Sequence, residues 1–371
     1  MQEETVIAHN VVAPSRKRLS SIELLRIISM LAICVFHAFQ TISGHFGSSN
    51  GLAAITQYGG QLGNVIFVIC SAWFLLDSKR AKPERAISIL ADSTFISVAI
   101  FLIVFASMFQ SLDLRTSEII HQFLPDLFNQ LWFIPCYVLM YLLHPLFNAA
   151  ISKMGPKPHL VLIILGFLLY GVLNGVGAAV PGSDLAQFAV IYFFVGYMKK
   201  YAPRFCESTK WNFVIGGVTL LLLMALFTIK YLLRNQPQAA QLFSFGITKC
   251  GLLMLFGLCV FNLFRKMHFE SRFINYTASA TLFVYCIHEN YMLRTYVRPL
   301  FYDFCVQQFP GVPLFWFGLV CGIGMFIGGY LIAIVYKESI HRLTVMLAKG
   351  IAVLGSKGIN ALENWRLKHI A

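Results

Sequence analysis

The chain has 371 residues, of which 58% are apolar (AVILMFWYC) and 12% are charged, where an average soluble domain carries about 45–50% and about 25%. So much apolar side chain with so little charge to solvate it excludes an ordinary soluble enzyme, while 15% aromatic residues and no Gly-x-y period exclude a disordered or collagen-like chain. A net charge of +13 would point to nucleic acid in a soluble protein, but in a membrane chain basic residues beside the spans set orientation, so no nucleic-acid partner is expected.

A membrane-crossing helix needs about 20 apolar residues. Ten stretches qualify, at 22–42, 54–76, 86–110, 131–150, 160–180, 186–198, 213–233, 245–264, 279–297 and 314–336; the sixth is short and the ninth is interrupted by polar residues. The expected fold is an all-α polytopic membrane helical bundle of about ten transmembrane helices. Of the 29 Lys and Arg, 22 fall on one side of this map, in the N-terminal segment, in every second connection and in the tail, against five (Arg115, Lys230, Arg234, Arg294 and Arg298) on the other. The positive-inside rule then assigns both termini to the cytoplasm. The chain divides into a cytoplasmic N-terminal tail (1–20), a transmembrane unit (21–336) and a cytoplasmic tail (337–371). Because the first 20 residues are polar and the first apolar run is a full span, no cleavable signal peptide is expected.

In the tail, Ile340, Leu343, Leu347, Ile351 and Leu354 recur at helical spacing among Arg342, Lys349 and Lys357. That pattern fits an amphipathic helix lying on the inner leaflet and fits equally a solvated tail packed on the inner loops. The nine cysteines are mostly embedded in apolar runs without CxxC or Cys/His metal spacing, so they read as small hydrophobes and no metal site is expected.

The informative residues of such a chain are the ionisable ones inside spans, since each costs several kcal/mol unless paired or hydrated. The first span is the richest, with Glu23, Arg26 and His37. Arg26 and His37 are eleven residues apart, which at 100° per residue leaves them about 20° off one helix face and roughly 16 Å apart along the axis. Glu23, three residues before Arg26, can pair with its guanidinium. Taken singly, Arg26 reads as an anchor snorkelling to the inner headgroups and His37 as a histidine satisfied by a neighbouring helix. Together on one face they favour a site, because imidazole is the usual general base near neutral pH.

These residues carry a resemblance. Glu23-Leu-Leu-Arg26 followed after ten residues by His37 resembles the first-span signature of the membrane acyltransferase-3 family, multi-span O-acyltransferases that modify bacterial cell-surface glycans and some small molecules. Asn64-Val-Ile-Phe-Val-Ile-Cys-Ser71 with the basic cluster from Lys79 to Arg85, Leu131-Trp132-Phe133 leading to Tyr141 and Pro145, Phe193-Phe-Val-Gly196-Tyr, and Leu282-Phe-Val-Tyr-Cys-Ile-His288 resemble later family segments in the right order. The chain departs from the pattern in having Ala72 where a glycine usually follows Ser71, and only Lys82 and Arg85 where the family has paired arginines.

The resemblance implies transfer of an acyl group, most often acetyl, from cytosolic acetyl-CoA to a hydroxyl of a surface glycan or its lipid-linked precursor, with no permanently bound cofactor. It further implies a multi-pass protein of the bacterial cytoplasmic membrane, in contact with membrane lipids. Arg26 would grip the donor's phosphates at the inner mouth and His37 would take the hydroxyl proton deeper in, the two lining one polar cavity. Arg80, Lys82 and Arg85 would steer the polyanionic donor, although orientation of the spans is sufficient to explain them. Trp132 would stack on the adenine, or sit in the interfacial aromatic belt. Ser71 would line the acceptor site, or bond its own helix. His288 and Glu289 would bind the acceptor, or hydrogen-bond between helices. The competing reading is a transporter or flippase without chemistry of its own, for which Gly-rich interrupted spans such as 171–177 would speak.

Overall fold

The computed structural model describes residues 18–369 apart from 47–50, 129, 179, 181–182, 234 and 245–247. Most of the expected N-terminal tail, with Arg16 and Lys17, and Arg234 of the outer connections lie outside the described residues. Apolar side chains along almost the whole chain leave the backbone only one way to satisfy its polar groups in lipid, which is within each helix, and the described residues are accordingly helical, without strands. In chain order they form α1 (Ser20–Phe46), α2 (Gly51–Leu75), α3 (Pro83–Met108), α4 (Thr116–Phe123), α5 (Phe133–Lys153), α6 (Pro156–Gly166), α7 (Ser183–Tyr201), α8 (Pro203–Glu207), α9 (Thr209–Leu232), α10 (Pro237–Gln241), α11 (Leu252–Arg265), α12 (Arg272–Ala278), α13 (Thr281–His288), α14 (Arg298–Gln308), α15 (Leu314–Ser339) and α16 (His341–His369). Two π-helical segments, Phe167–Leu173 and Leu293–Val297, extend α6 and lead into α14.

Among the described residues eight helices are long and apolar enough to cross a membrane. Seven coincide with stretches expected to span, and the eighth is the tail helix α16. The sixth, eighth and ninth stretches fall instead on α7, on the 14-residue α11 and on the 8-residue α13. The ninth stops at His288 because polar residues follow, and the exposed backbone is patched locally. Asn290 accepts the Met292 N–H at 3.0 Å and donates to Ser97 Oγ at 3.3 Å.

The bundle is built around α1, which packs against α2, α15, α11, α12 and α13. Helices in lipid gain no hydrophobic drive from meeting each other, so they rely on close approach at small residues. A Cβ on Gly63 of α2 would sit 2.7 Å from the Ser29 carbonyl of α1, and one on Gly322 of α15 would sit 2.6 Å from the Val35 Cα. Both crossings therefore require glycine. The exterior is apolar, with Val161, Leu165, Leu221, Leu222 and Leu331 all exposed, the inverse of a soluble surface and the face a bilayer would cover.

The tail helix α16 folds back along α3. It docks through buried Thr344 and Ala348, while Leu343, Leu347, Ile351 and Leu354 of the apolar stripe face away from the bundle. That outward stripe is the orientation an inner-leaflet helix needs.

Candidate active site

A cavity of about 1200 Å³ opens among the helix ends that carry the basic residues: Arg18 beside α1, Arg85 of α3, Arg265 of α11 and Lys349 of α16 line it, with Asp77 and Glu84 among them. This exceeds the ~300–1,000 Å³ of a pocket for a drug-sized ligand. It extends inward past Arg26, Asn64, Phe67 and Ser71 to Ile33, Phe133 and Tyr285, about 20 Å along α1 from its mouth at 1.5 Å per residue. The first turn of α1 sets the guanidinium in place as its spacing demands. Arg26 Nη1 donates to Glu23 Oε2 at 2.8 Å, Nη2 reaches Thr281 Oγ1 at 3.4 Å, and the group lies 5.7 Å from the centre of the Phe67 ring. Arg26 thus lines the cavity wall.

One turn beyond Ile33, His37 meets α13. Its Nδ1 lies 3.0 Å from His288 Nε2 and 3.0 Å from Glu289 Oε1. The proton positions follow from the partners. His288 Nδ1 is 2.8 Å from the Val284 carbonyl, which can only accept, so Nδ1 carries the hydrogen and Nε2 of the neutral ring is bare. His37 Nδ1 must then be the donor to it, and the His37 Nε2 lone pair is left available. Glu289 Oε1 stands 3.0 Å from the same His37 Nδ1 without a directed hydrogen bond to it. Arg294 and Arg298 balance that carboxylate at 3.5 and 3.6 Å, and Arg298 is itself held by Thr41 at 3.2 Å and by the His288 carbonyl. Donor atoms of His37, His288 and Glu289 lie within 4.8 Å of one another, close enough for a metal ion. The two guanidiniums already supply the counter-charge that a cation would bring, so the cluster is better suited to moving a proton. An imidazole held in one tautomer beside a carboxylate is the arrangement of a general base.

The chain matches the sequence model of an acyltransferase domain, that of the acyltransferase-3 family, over residues 19–334. The chain belongs to the acyltransferase-3 family. It is a multi-pass membrane acyltransferase. Comparison with curated proteins and with solved structures found no match for it.

Against the expectations for this acyltransferase-3 member, the structure brings together Arg26, Ser71 and Arg85 on the cavity wall, and His37, His288 and Glu289 in the cluster beyond it. It separates others. His37 does not line the cavity as expected; Ile33, Phe133 and Tyr285 close the inner end one turn short of it. Arg80 and Lys82 are exposed and do not line the cavity, and the Lys82 backbone N–H donates to Tyr141 Oη at 3.0 Å. Trp132 does not reach it either: it precedes α5 at the end opposite the basic mouth, where Lys249 Nζ sits 3.9 Å from its ring centre and is itself paired with Asp184 at 2.6 Å. That cation–π contact occupies the face an adenine would need.

Sequence reasoning passed over Asp92, which lines the cavity from α3 and is 2% exposed. It accepts hydrogen bonds from Tyr336 Oη at 2.7 Å, from His341 Nδ1 at 3.0 Å and from Thr344 Oγ1, tying α16 and α15 to α3. A carboxylate inside an apolar run, Ile89-Leu-Ala-Asp92-Ser93, was the signal available for it. Arg298, counted among the outer connections, is buried beside Glu289.

Proposed function

We propose that the protein transfers an acyl group, acetyl in the first instance, from cytosolic acyl-CoA to a hydroxyl of a cell-surface glycan or its precursor. The observation that carries this reading is the Glu289–His37–His288 cluster standing one helical turn past the inner end of a wide, basic-mouthed cavity. The phosphates of the donor suit the mouth, where Arg18, Arg85 and Lys349 converge, and the Arg26 fork suits a phosphate or the pantetheine amides further in. A flexible thioester arm passing Phe67 would meet the imidazole once Ile33, Phe133 and Tyr285, which close the inner end of the cavity, part to admit it. His37 Nε2 then accepts the acceptor hydroxyl's proton as its oxygen attacks the thioester carbon. The new C–O bond forms, the C–S bond breaks, and the proton passes from His37 to the departing CoA thiolate. Glu289 stabilises the transient imidazolium without taking the proton, as the carboxylate of a triad does.

The test is incubation of membranes containing the protein with acetyl-labelled acetyl-CoA. Label should appear on a glycan fraction with wild-type protein and stay at background with His37→Ala; label remaining on CoA in both would overturn the reading. Mass spectrometry of the surface glycans with and without the gene would then identify the acceptor.

A further inference from the structure

On the far side of the His37 cluster lies a second cavity of about 640 Å³, a trough between α15 and the segment formed by the Leu293–Val297 π-turn and α14. One wall is a row at i, i+4 spacing on α15, Trp316, Val320, Gly324, Gly328 and Ile332, which runs about 24 Å, most of the ~30 Å hydrocarbon core. Nothing lies within 4 Å of where a Cβ on Gly324 or Gly328 would stand, so the missing side chains make the trough. The opposite wall is apolar too, from Phe301 to Phe309.

Its floor is not apolar. His288 and Arg298, both buried, line it, and so does Tyr302, 1% exposed, whose hydroxyl has no hydrogen-bond partner. Arg298 is already engaged by Thr41 and the His288 carbonyl, which leaves the Tyr302 hydroxyl as the unspent donor. An unpaired buried hydroxyl is costly, a penalty that an oxygen-bearing ligand reaching it from the trough would remove. His288 Nε2 is 3.0 Å from His37, so the floor of the trough touches the base.

We propose that this trough holds the hydrocarbon chain of a hydroxyl-bearing amphiphile, so that the acyl acceptor is presented from within the bilayer with its polar head at Tyr302 and His288. The two cavities then flank the histidine cluster, a basic one open to a water-soluble donor and an apolar one shaped for a lipid-anchored acceptor. The acceptor role rests on the acyl-transfer reading above; occupancy of the trough does not.

The test uses the full-length protein in lipid nanodiscs with a hexadecyl glycoside that carries a photoreactive diazirine midway along its chain. Wild-type protein should be labelled saturably on peptides between Phe301 and Ile332. Gly324→Leu with Gly328→Leu, whose Cβ atoms stand in open space, should lower that labelling at least tenfold. Gly217→Leu on α9, where a Cβ would also meet nothing within 4 Å, should label as wild-type. Tyr302→Phe should weaken saturation roughly threefold to tenfold, the worth of one hydrogen bond. Non-saturable labelling, labelling equal to that by a diazirine phosphatidylcholine, or labelling unchanged in the filled trough would mean ordinary bilayer lipid fills it and would overturn the proposal. Because no donor is present, labelling fails or succeeds independently of acyl transfer. Saturable labelling with no transfer of acetyl to any glycoside would instead count against the reaction.

Discussion

In the proposed reaction His37 and Glu289 divide one task. Replacing His37 by Ala removes the proton acceptor, and loss of a general base costs about 10²–10⁴ in rate. Abundance in the membrane should hold, because Glu289 keeps Arg294 and Arg298 as counter-charges at 3.5 and 3.6 Å; quantitative blotting beside the labelled-acetyl assay checks both halves. Glu289→Gln keeps the shape but removes the charge that stabilises the imidazolium. It should lower kcat while leaving KM for acyl-CoA near wild-type, a split that a residue needed only for folding would not show. Arg26→Lys keeps a positive charge beside Glu23 but loses the fork, and should raise KM for the donor.

The hydrogen bonds that dock the tail helix α16 converge on one carboxylate. Asp92 accepts from Tyr336 of α15 and from His341 and Thr344 of α16, and Asp92→Ala would leave those donors unpaired at about 1–3 kcal/mol each where they are buried. The expected result is release of α16, read as faster tryptic cleavage after Arg342 and Lys349 in solubilised protein. Because Val345 and Lys349 wall the cavity, the same variant should weaken donor binding. The α1–α15 crossing offers a contrast two residues apart. Gly322→Leu would drive a side chain into the Val35 backbone and should abolish monodisperse protein in size-exclusion chromatography, whereas Gly324 faces open space.

Charge is distributed over the whole protein so that its basic surface and the cavity mouth coincide. A polyanionic donor approaching four cationic side chains at that mouth, with Asp77 and Glu84 between them, should be steered by a field that salt screens over about 8–10 Å. KM for acyl-CoA should therefore rise between low and physiological ionic strength while kcat stays level. The same distribution predicts that the mouth and α16 face the cytoplasm. A cysteine placed at Ser356 should escape an impermeant maleimide in intact cells and react after permeabilisation; reaction in intact cells would reverse the orientation.

Composition alone determined the architecture, since a chain this apolar can satisfy its backbone in lipid only by helices. Local spacing determined the Glu23–Arg26 pair, because partners three residues apart need nothing but the helix itself, and the pair stands at 2.8 Å. The same periodicity singled out Arg26 and His37. It could not show that one ends in a cavity and the other beyond it, since a helix face says nothing about what packs against it. His37 meets His288 and Glu289 across about 250 residues of chain, a contact set by how α1 and α13 are pressed together through α15. Trp132 was left between an adenine and the interfacial belt for the same reason: its residue type suits both, and only packing decided that Lys249 would sit over its ring. What the sequence determined follows from the rise and turn of one helix; what the tertiary structure decided is the register between helices, which depends on glycines such as Gly63 and Gly322 meeting a particular partner backbone.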